Sequence, residues 1–329
     1  MSWRSKKRKS GVALALGSGS ARGLAHVGVL KVLEEAGVPV KGIAGSSIGA
    51  VVGGLHAGGG LEGWVELMRG MDRQSVLWFL DPVVPVSGLF AGKRTKKVLY
   101  SLLGDRMIEH LPVEFVAVAT DLSSGAEVRI REGELVPAIR ASYAIPGIFT
   151  PQKQNGIWLT DGGAVCPVPV AAASEMGFSK MIAVDLHGHS YGPDAEGPTA
   201  LGVSQDVHNP SPEAAAKSKQ LLHQSVGFVA DTAGKVAGKA TRFWQKVLGQ
   251  ASKRGAPGIS DVIGDTMAFA QLTIAQRDIA LSQPDLVLEP RLPDIGLFDY
   301  HRADELIAEG ERCTREALES GLLDPFLKG

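Results

Sequence analysis

The sequence predicts an α/β protein built on a mainly parallel central sheet. Three observations carry this reading. "VALAL" (12–16) is a short continuous apolar run closed by glycines, the pattern of a strand buried on both faces. Strand, helix, strand and helix then alternate within residues 12–59. That alternation implies parallel pairing through right-handed crossovers. It continues to about residue 187 without an internal repeat.

The elements follow in order. "GLAHVGVLKVLEEAG" (23–37) places Leu24, Val27, Leu30 and Leu33 at helical spacing, with Gly37 and Pro39 as stop signals. "GIAG" (42–45) is a second strand, and "SIGAVVGGLHAGG" a glycine-tolerant helix. Helices are expected over 61–71 and 92–104, a strong strand over 113–122, and a half-exposed strand over 126–133. Residues 134–147 read as a helix broken by prolines, and 156–163 as a strand entering a glycine turn. A helix over 168–177 and a buried strand over 180–186 close the first unit. Residues 187–212 turn to Gly, Pro, His, Ser and Asp, a loop composition. Beyond it come a helical stretch over 213–254, an amphipathic helix over 259–283, a strand over 285–290 and a helix over 304–321. The organisation expected is a basic disordered tail (1–10), a catalytic core (11–190), a variable loop with a basic helical segment (191–257), and C-terminal elements (258–329) completing the same domain.

Composition excludes several classes. The chain has 329 residues, 44% hydrophobic and 21% charged, with net charge −1. That gives no global attraction to nucleic acid. Two cysteines, Cys166 and Cys313, make neither a disulfide framework nor a zinc motif, and reduced thiols fit a reducing compartment. No run of about 18 apolar residues is present to span a membrane. The basic tail lacks the apolar run of a signal peptide. A cytoplasmic protein is expected, with peripheral contact to the inner face of the membrane as an option through basic residues.

"GSSIG" (45–49) is a G-x-S-x-G between a strand and a helix, the setting of a nucleophile elbow. It puts Ser47 on a sharp turn at a helix N-terminus, where the helix dipole favours negative charge. The plainer reading is an N-cap serine followed by packing glycines, Gly45 and Gly49. "GSGSARG" (17–23) also joins a strand to a helix. As a dinucleotide loop it is one residue too long, and the second strand ends without the required acid. As an oxyanion hole its amides would come from Gly17, Ser18, Gly19 and Ser20, with Arg22 and Gly23 supporting the loop or an anion.

The proton acceptor is the harder question. An α/β-hydrolase triad places several strands before the serine, and here only one precedes Ser47. His26 and His56 read as structural. His187 and His189 could ligate or act as base, but no third ligand accompanies them. "LTDGG" (159–163) places Asp161 where a buried strand ends in two glycines, Gly162 and Gly163, at the edge of a parallel sheet where ligands bind. A carboxylate beside a serine can act as base, and burial raises its basicity. "DGG" is equally an ordinary turn, and both readings stand on chemistry alone.

Four blocks together resemble the patatin-like phospholipase family: "GSGSARGLAHVGVLKVLEEAG", "GSSIGA", "RASYAIPGIFTP" and "DGGAVCPVPV". The tail "DLVLEPRLPDIGLFDYHRADELIAEG" is similar to that of bacterial members. The resemblance implies a three-layer α/β/α sandwich and a Ser–Asp dyad without a catalytic histidine. Carried over by position, Ser47 is the nucleophile, Asp161 the base and the glycine-rich loop the oxyanion hole. Ser18 and Ser20 depart from the family's glycines.

Within 224–254, Val226, Val229, Val236, Phe243, Trp244 and Val247 lie at helical spacing, opposite Lys235, Lys239, Arg242 and Lys246. Such a face suits a membrane interface or a lid, and equally a helix packed on its own domain or a second subunit. The expectation is a serine acyl hydrolase acting on lipid acyl esters, of phospholipase A or lysophospholipase type, with no metal or cofactor. Rivals are a non-lipid esterase or thioesterase, and an acyl-lipid-binding regulatory protein with a vestigial dyad. Nucleic acid is not an expected partner, and a homo-oligomer is compatible with the sequence.

Overall fold

A computed structural model describes residues 8–81, 88–189, 211–226, 259–293 and 295–327. Eight strands form one sheet: β1 (Lys9–Leu16), β2 (Val40–Ser46), β3 (Glu114–Asp121), β4 (Glu127–Ile130), β5 (Gln152–Gln154), β6 (Ile157–Asp161), β7 (Phe178–Val184) and β8 (Leu286–Leu288). The order is β5-β6-β3-β2-β1-β7-β8, with β4 pairing β3 off that path. The five strands from β3 to β8 are parallel, and β4, β5 and β6 form an antiparallel margin.

Alternation along each strand builds two faces of different bulk. Val12, Leu14, Leu16, Ile43, Ile182 and Val184 face one side. There they meet α1 (Ala25–Glu35), α2 (Ile48–Ala57), α3 (Leu61–Arg69), α4 (Arg73–Phe79), α5 (Lys93–Leu103) and α6 (Leu135–Ser142). Ala13, Ala15, Ala44 and Ala183 face the other side, under α7 (Val170–Ser174). Of the later helices, α8 (Pro212–Val226) packs beside α3, while α9 (Ile259–Ser282) covers the alanine face. α10 (Ala303–Glu319) packs along α1, and a short α11 (Asp324–Leu327) ends the described chain. This is the three-layer α/β/α sandwich, with the larger core on the α1–α6 side. Small side chains on the other face let its helices lie close to the sheet.

Several expected boundaries move. Lys9 is already in β1 rather than in a tail: it pairs in register with Phe178, binds Glu114 and lies 5.1 Å over the Phe178 ring. The helix expected over 134–147 stops at Ser142, because Pro146 excludes the helical conformation just before it. Pro137 is tolerated because it sits in the first turn. The helix α4 was not anticipated; its Asp72 cap accepts the Ser75 N–H at 2.7 Å. The strand β5 was also missed. The helix over 259–283 forms at 259–282, but Phe269 and Leu281 are exposed, so its apolar side is only partly used. The helix expected over 213–254 is seen as Pro212–Val226, and 227–258 lie outside the described residues. The same holds for 190–210 of the expected loop. Cys166 and Cys313 are free thiols. Among the described residues no helix is long and apolar enough to cross a membrane.

Candidate active site

Two adjacent strand-to-helix turns form the site. β2 ends at Ser46, opposite Val118 of β3, and Ala119 is opposite Asp161 of β6. That register brings Ser47 and Asp161 to the same level on either side of β3. Asp161 therefore leaves an antiparallel strand, not the parallel one its expected position suggested. The result is a direct contact: Ser47 Oγ donates to Asp161 Oδ2 at 2.5 Å.

The elbow geometry has identifiable causes. Ser47 holds φ 56° and ψ −119°, a conformation costly for a non-glycine residue. Glycines make room for it. A methyl at Gly45 would meet the backbone of Gly49 and Ala50, and one at Gly49 would meet the Leu16 carbonyl. The Ser47 N–H donates to Ser142 Oγ at 2.9 Å, and Ser142 Oγ donates to the Val118 carbonyl at 2.6 Å. Ser142 is fully buried at the end of α6 and clamps the elbow to β3. Sequence reasoning passed over it; its only signal was its place inside the "RASYAIPG" block.

Asp161 is buried, with Oδ1 accepting the Gly163 N–H at 2.7 Å. Burial pushes its carboxyl up to about 7, against the downward pull of its bonds from Ser47 and Gly163. A carboxylate in that range takes a proton far more readily than one near 4. Gly162 passes so close to the Val118 carbonyl that a side chain there would collide.

The 17–23 loop is fixed from behind by histidines. His26 Nε2 donates to the Gly17 carbonyl at 2.8 Å, and His187 Nε2 lies 3.1 Å from Ser18 Oγ. Burial lowers both imidazoles, to about 4 and about 3, so both are neutral at pH 7. They hold the loop, and the Ser47 hydroxyl donates to a carboxylate rather than an imidazole. His189 sits 3.9 Å from Glu289, and no metal-binding cluster occurs among the described residues. Arg22 is buried, close enough to Asp185 and His187 to influence both. Gly23 packs against Ile48, where any side chain would clash.

Two of the four expected oxyanion amides are corrected. The Gly17 N–H donates to the Val184 carbonyl at 3.1 Å and the Ser18 N–H to the Pro167 carbonyl at 2.7 Å. Backbone donors already spent on carbonyls cannot also serve an oxyanion. Among the described residues the Gly19 and Ser20 amides carry no such bond. Gly19 has φ 152° and Ser20 φ 51°, so the chain reverses sharply at these two residues.

The serine opens on an apolar cleft of about 500 Å³, counted with its mouth. Ile48, Val51, Trp64, Phe79, Tyr143 and Phe149 are among its walls. A buried hydroxyl bonded to a basic carboxylate, two unspent amides nearby and a greasy cleft are the parts of an acyl-transfer site.

Comparison with known proteins identifies the family. The family model described as Patatin-like phospholipase matches residues 14–174. An uncharacterized NTE family protein of Mycobacterium tuberculosis is 36% identical over 335 residues, covering 95% of this chain and 92% of that one. The chain belongs to the patatin-like phospholipase family. Within that family, human patatin-like phospholipase domain-containing protein 6 is 35% identical over 181 residues, covering 53% of this chain and 13% of its own. A solved structure, VipD from Legionella pneumophila, aligns with a TM-score of 0.43 and 12% identity over 98% of this chain and 86% of its own. The family match spans both turns and Asp161 but ends well before the C-terminal segment that also borders the cleft.

Proposed function

We propose that this protein is a serine hydrolase that cleaves lipid acyl esters through Ser47 and Asp161. The observation that carries the proposal is the 2.5 Å hydrogen bond from Ser47 Oγ to Asp161 Oδ2 at the floor of an apolar cleft. Family membership supports lipid acyl hydrolysis in the broad sense. The phospholipase A or lysophospholipase type is part of this proposal.

In the first half-reaction the Ser47 proton passes to Asp161 as Oγ bonds to the ester carbonyl carbon. The negative charge that develops on the carbonyl oxygen meets the Gly19 and Ser20 amides. Collapse breaks the bond to the leaving alkoxide, which takes the proton from Asp161. Water then attacks the acyl-enzyme, giving its proton to Asp161, which returns it to Ser47 as the fatty acid departs. Each proton begins and ends on a named atom, and Asp161 alternates between base and acid near the pH at which both forms are populated.

The apolar walls suit an acyl chain, because burying its methylenes is favourable by about 0.8 kcal/mol each. The test is hydrolysis of p-nitrophenyl butyrate and of phospholipid and lysophospholipid dispersions by the wild type and by Ser47→Ala. The proposal expects both activities in the wild type and neither in the variant. Equal activity of the two proteins would overturn it.

A further inference from the structure

Tyr300 lies outside residues 14–174, the stretch that matches the family model, and the dyad chemistry makes no use of it. Yet it lines the cleft with Ser47 and Ser20. Its hydroxyl is 3.1 Å from Ser20 Oγ. Ser20 Oγ has a single proton, which it donates to the Leu297 carbonyl at 2.7 Å. A hydroxyl whose proton is spent can only accept a further bond. Tyr300 is therefore the donor of the pair, and its O–H points at the loop that carries the unspent Gly19 and Ser20 amides.

The phenol also keeps its proton. Burial raises it to about 12, with the nearby Asp161 carboxylate adding to the effect and the Ser20 bond opposing it. It is a donor at any pH at which the enzyme works. Rotation about the phenolic C–O bond redirects the O–H without moving the ring.

We propose that Tyr300 is a catalytic residue: on substrate binding its hydroxyl turns from Ser20 to the ester carbonyl oxygen and supplies a third hydrogen bond to the oxyanion, beside the Gly19 and Ser20 amides. No proton is transferred from Tyr300; the Ser47 proton still goes to Asp161. The inference rests on the Ser47–Asp161 chemistry proposed above. It goes beyond it by drawing a donor from the C-terminal segment, 280 residues away in sequence from Ser20.

The test is a mutant cycle of wild type, Tyr300→Phe, Ser20→Ala and the double variant. Each is assayed on p-nitrophenyl butyrate and on an unactivated alkyl butyrate, with thermal midpoints confirming the fold. Wild-type activity that survives Ser47→Ala would refute the dyad reading rather than this one. With the dyad intact, Tyr300→Phe is expected to lower kcat roughly a hundredfold, the usual scale for one oxyanion donor. KM should change by less than about threefold, and the kcat loss should be the same on both esters and in the Ser20→Ala background. If the loss disappears in that background, Tyr300 only holds Ser20 and the proposal fails. It fails also if kcat is unchanged, or if only the alkyl ester is affected, which would make the hydroxyl a leaving-group donor. A fluorinated tyrosine at 300, a stronger donor with the same ring, should raise kcat; an unchanged kcat would count against the proposal.

Discussion

The two strand-to-helix turns of this protein share one backbone device and use it differently. Each follows a buried parallel strand and carries a serine at positive φ, 51° at Ser20 and 56° at Ser47. The Ser20 hydroxyl gives its proton to a backbone carbonyl, and the Ser47 hydroxyl gives its proton to a buried carboxylate. A carbonyl accepts a hydrogen bond but does not take the proton; a carboxylate raised toward neutrality does both. The strained turn presents a hydroxyl, and the acceptor facing it decides whether that hydroxyl becomes a nucleophile.

The largest effect should come from making the second turn resemble the first. Asp161→Asn leaves Ser47 bonded to a group that cannot be protonated. Ester hydrolysis should fall roughly thousandfold or more, as when a triad loses its base. Initial rates on p-nitrophenyl butyrate measure it, and retention of a tenth of the activity would break the contrast.

Next comes pH. With Asp161 pushed up to about 7, its base form is lost below that value. The kcat/KM profile should climb about tenfold per unit up to near pH 7 and flatten above it. A profile flat from pH 5 to 8 would show that Asp161 is not the titrating base. The sign for stability is opposite. The folded protein holds this proton more tightly than the unfolded chain, whose carboxyl titrates near 4. Asp161 therefore costs increasing stability as pH rises from about 4 to 7, and the cost is full above 7. Asp161→Asn should be more stable than wild type at pH 8, by up to about 4 kcal/mol, and the advantage should vanish near pH 4. Urea denaturation at the two pH values measures this.

Smaller effects sharpen the comparison at the clamps. Ser142→Ala leaves the Ser47 N–H and the Val118 carbonyl unpaired in the interior. It should cost about 1–3 kcal/mol of stability, read as a lower urea midpoint. Ser20→Ala removes the bond to Leu297 at the other turn. It should cost about 1 kcal/mol, read as a shift of a few degrees in thermal midpoint.

Legibility followed sequence distance. Ser47 was readable because strand, G-x-S-x-G and helix are contiguous, and Asp161 because its strand runs straight into two glycines. Their pairing was not readable from either motif; it came through the family resemblance, and physically it depends on the β2–β3–β6 register. The direction of β6 was missed because a short strand carries no mark of its neighbour's polarity. Gly17 and Ser18 looked like oxyanion donors because their acceptors, Val184 and Pro167, come from distant parts of the chain. Tyr300 sits inside the tail block that resembles bacterial members, but nothing in that block marks it as a neighbour of Ser20. The layers were readable from "VALAL" and its successors, since buried parallel strands are apolar throughout, but the boundaries of α6 and α7 were set by prolines and packing.

The contact of Gly23 with Ile48 has a mechanical consequence. With no space for even a methyl between them, the loop and the elbow behave as one rigid block, and a shift of one must carry the other. Thermal motion of the sheet then moves the Gly19–Ser20 amides and the Ser47 hydroxyl together, keeping their spacing. An engineer wishing to change which acyl groups are accepted should leave this block alone. The adjustable parts are other walls of the cleft, Trp64 of α3 and Phe79 of α4, where a change of volume reshapes the cleft.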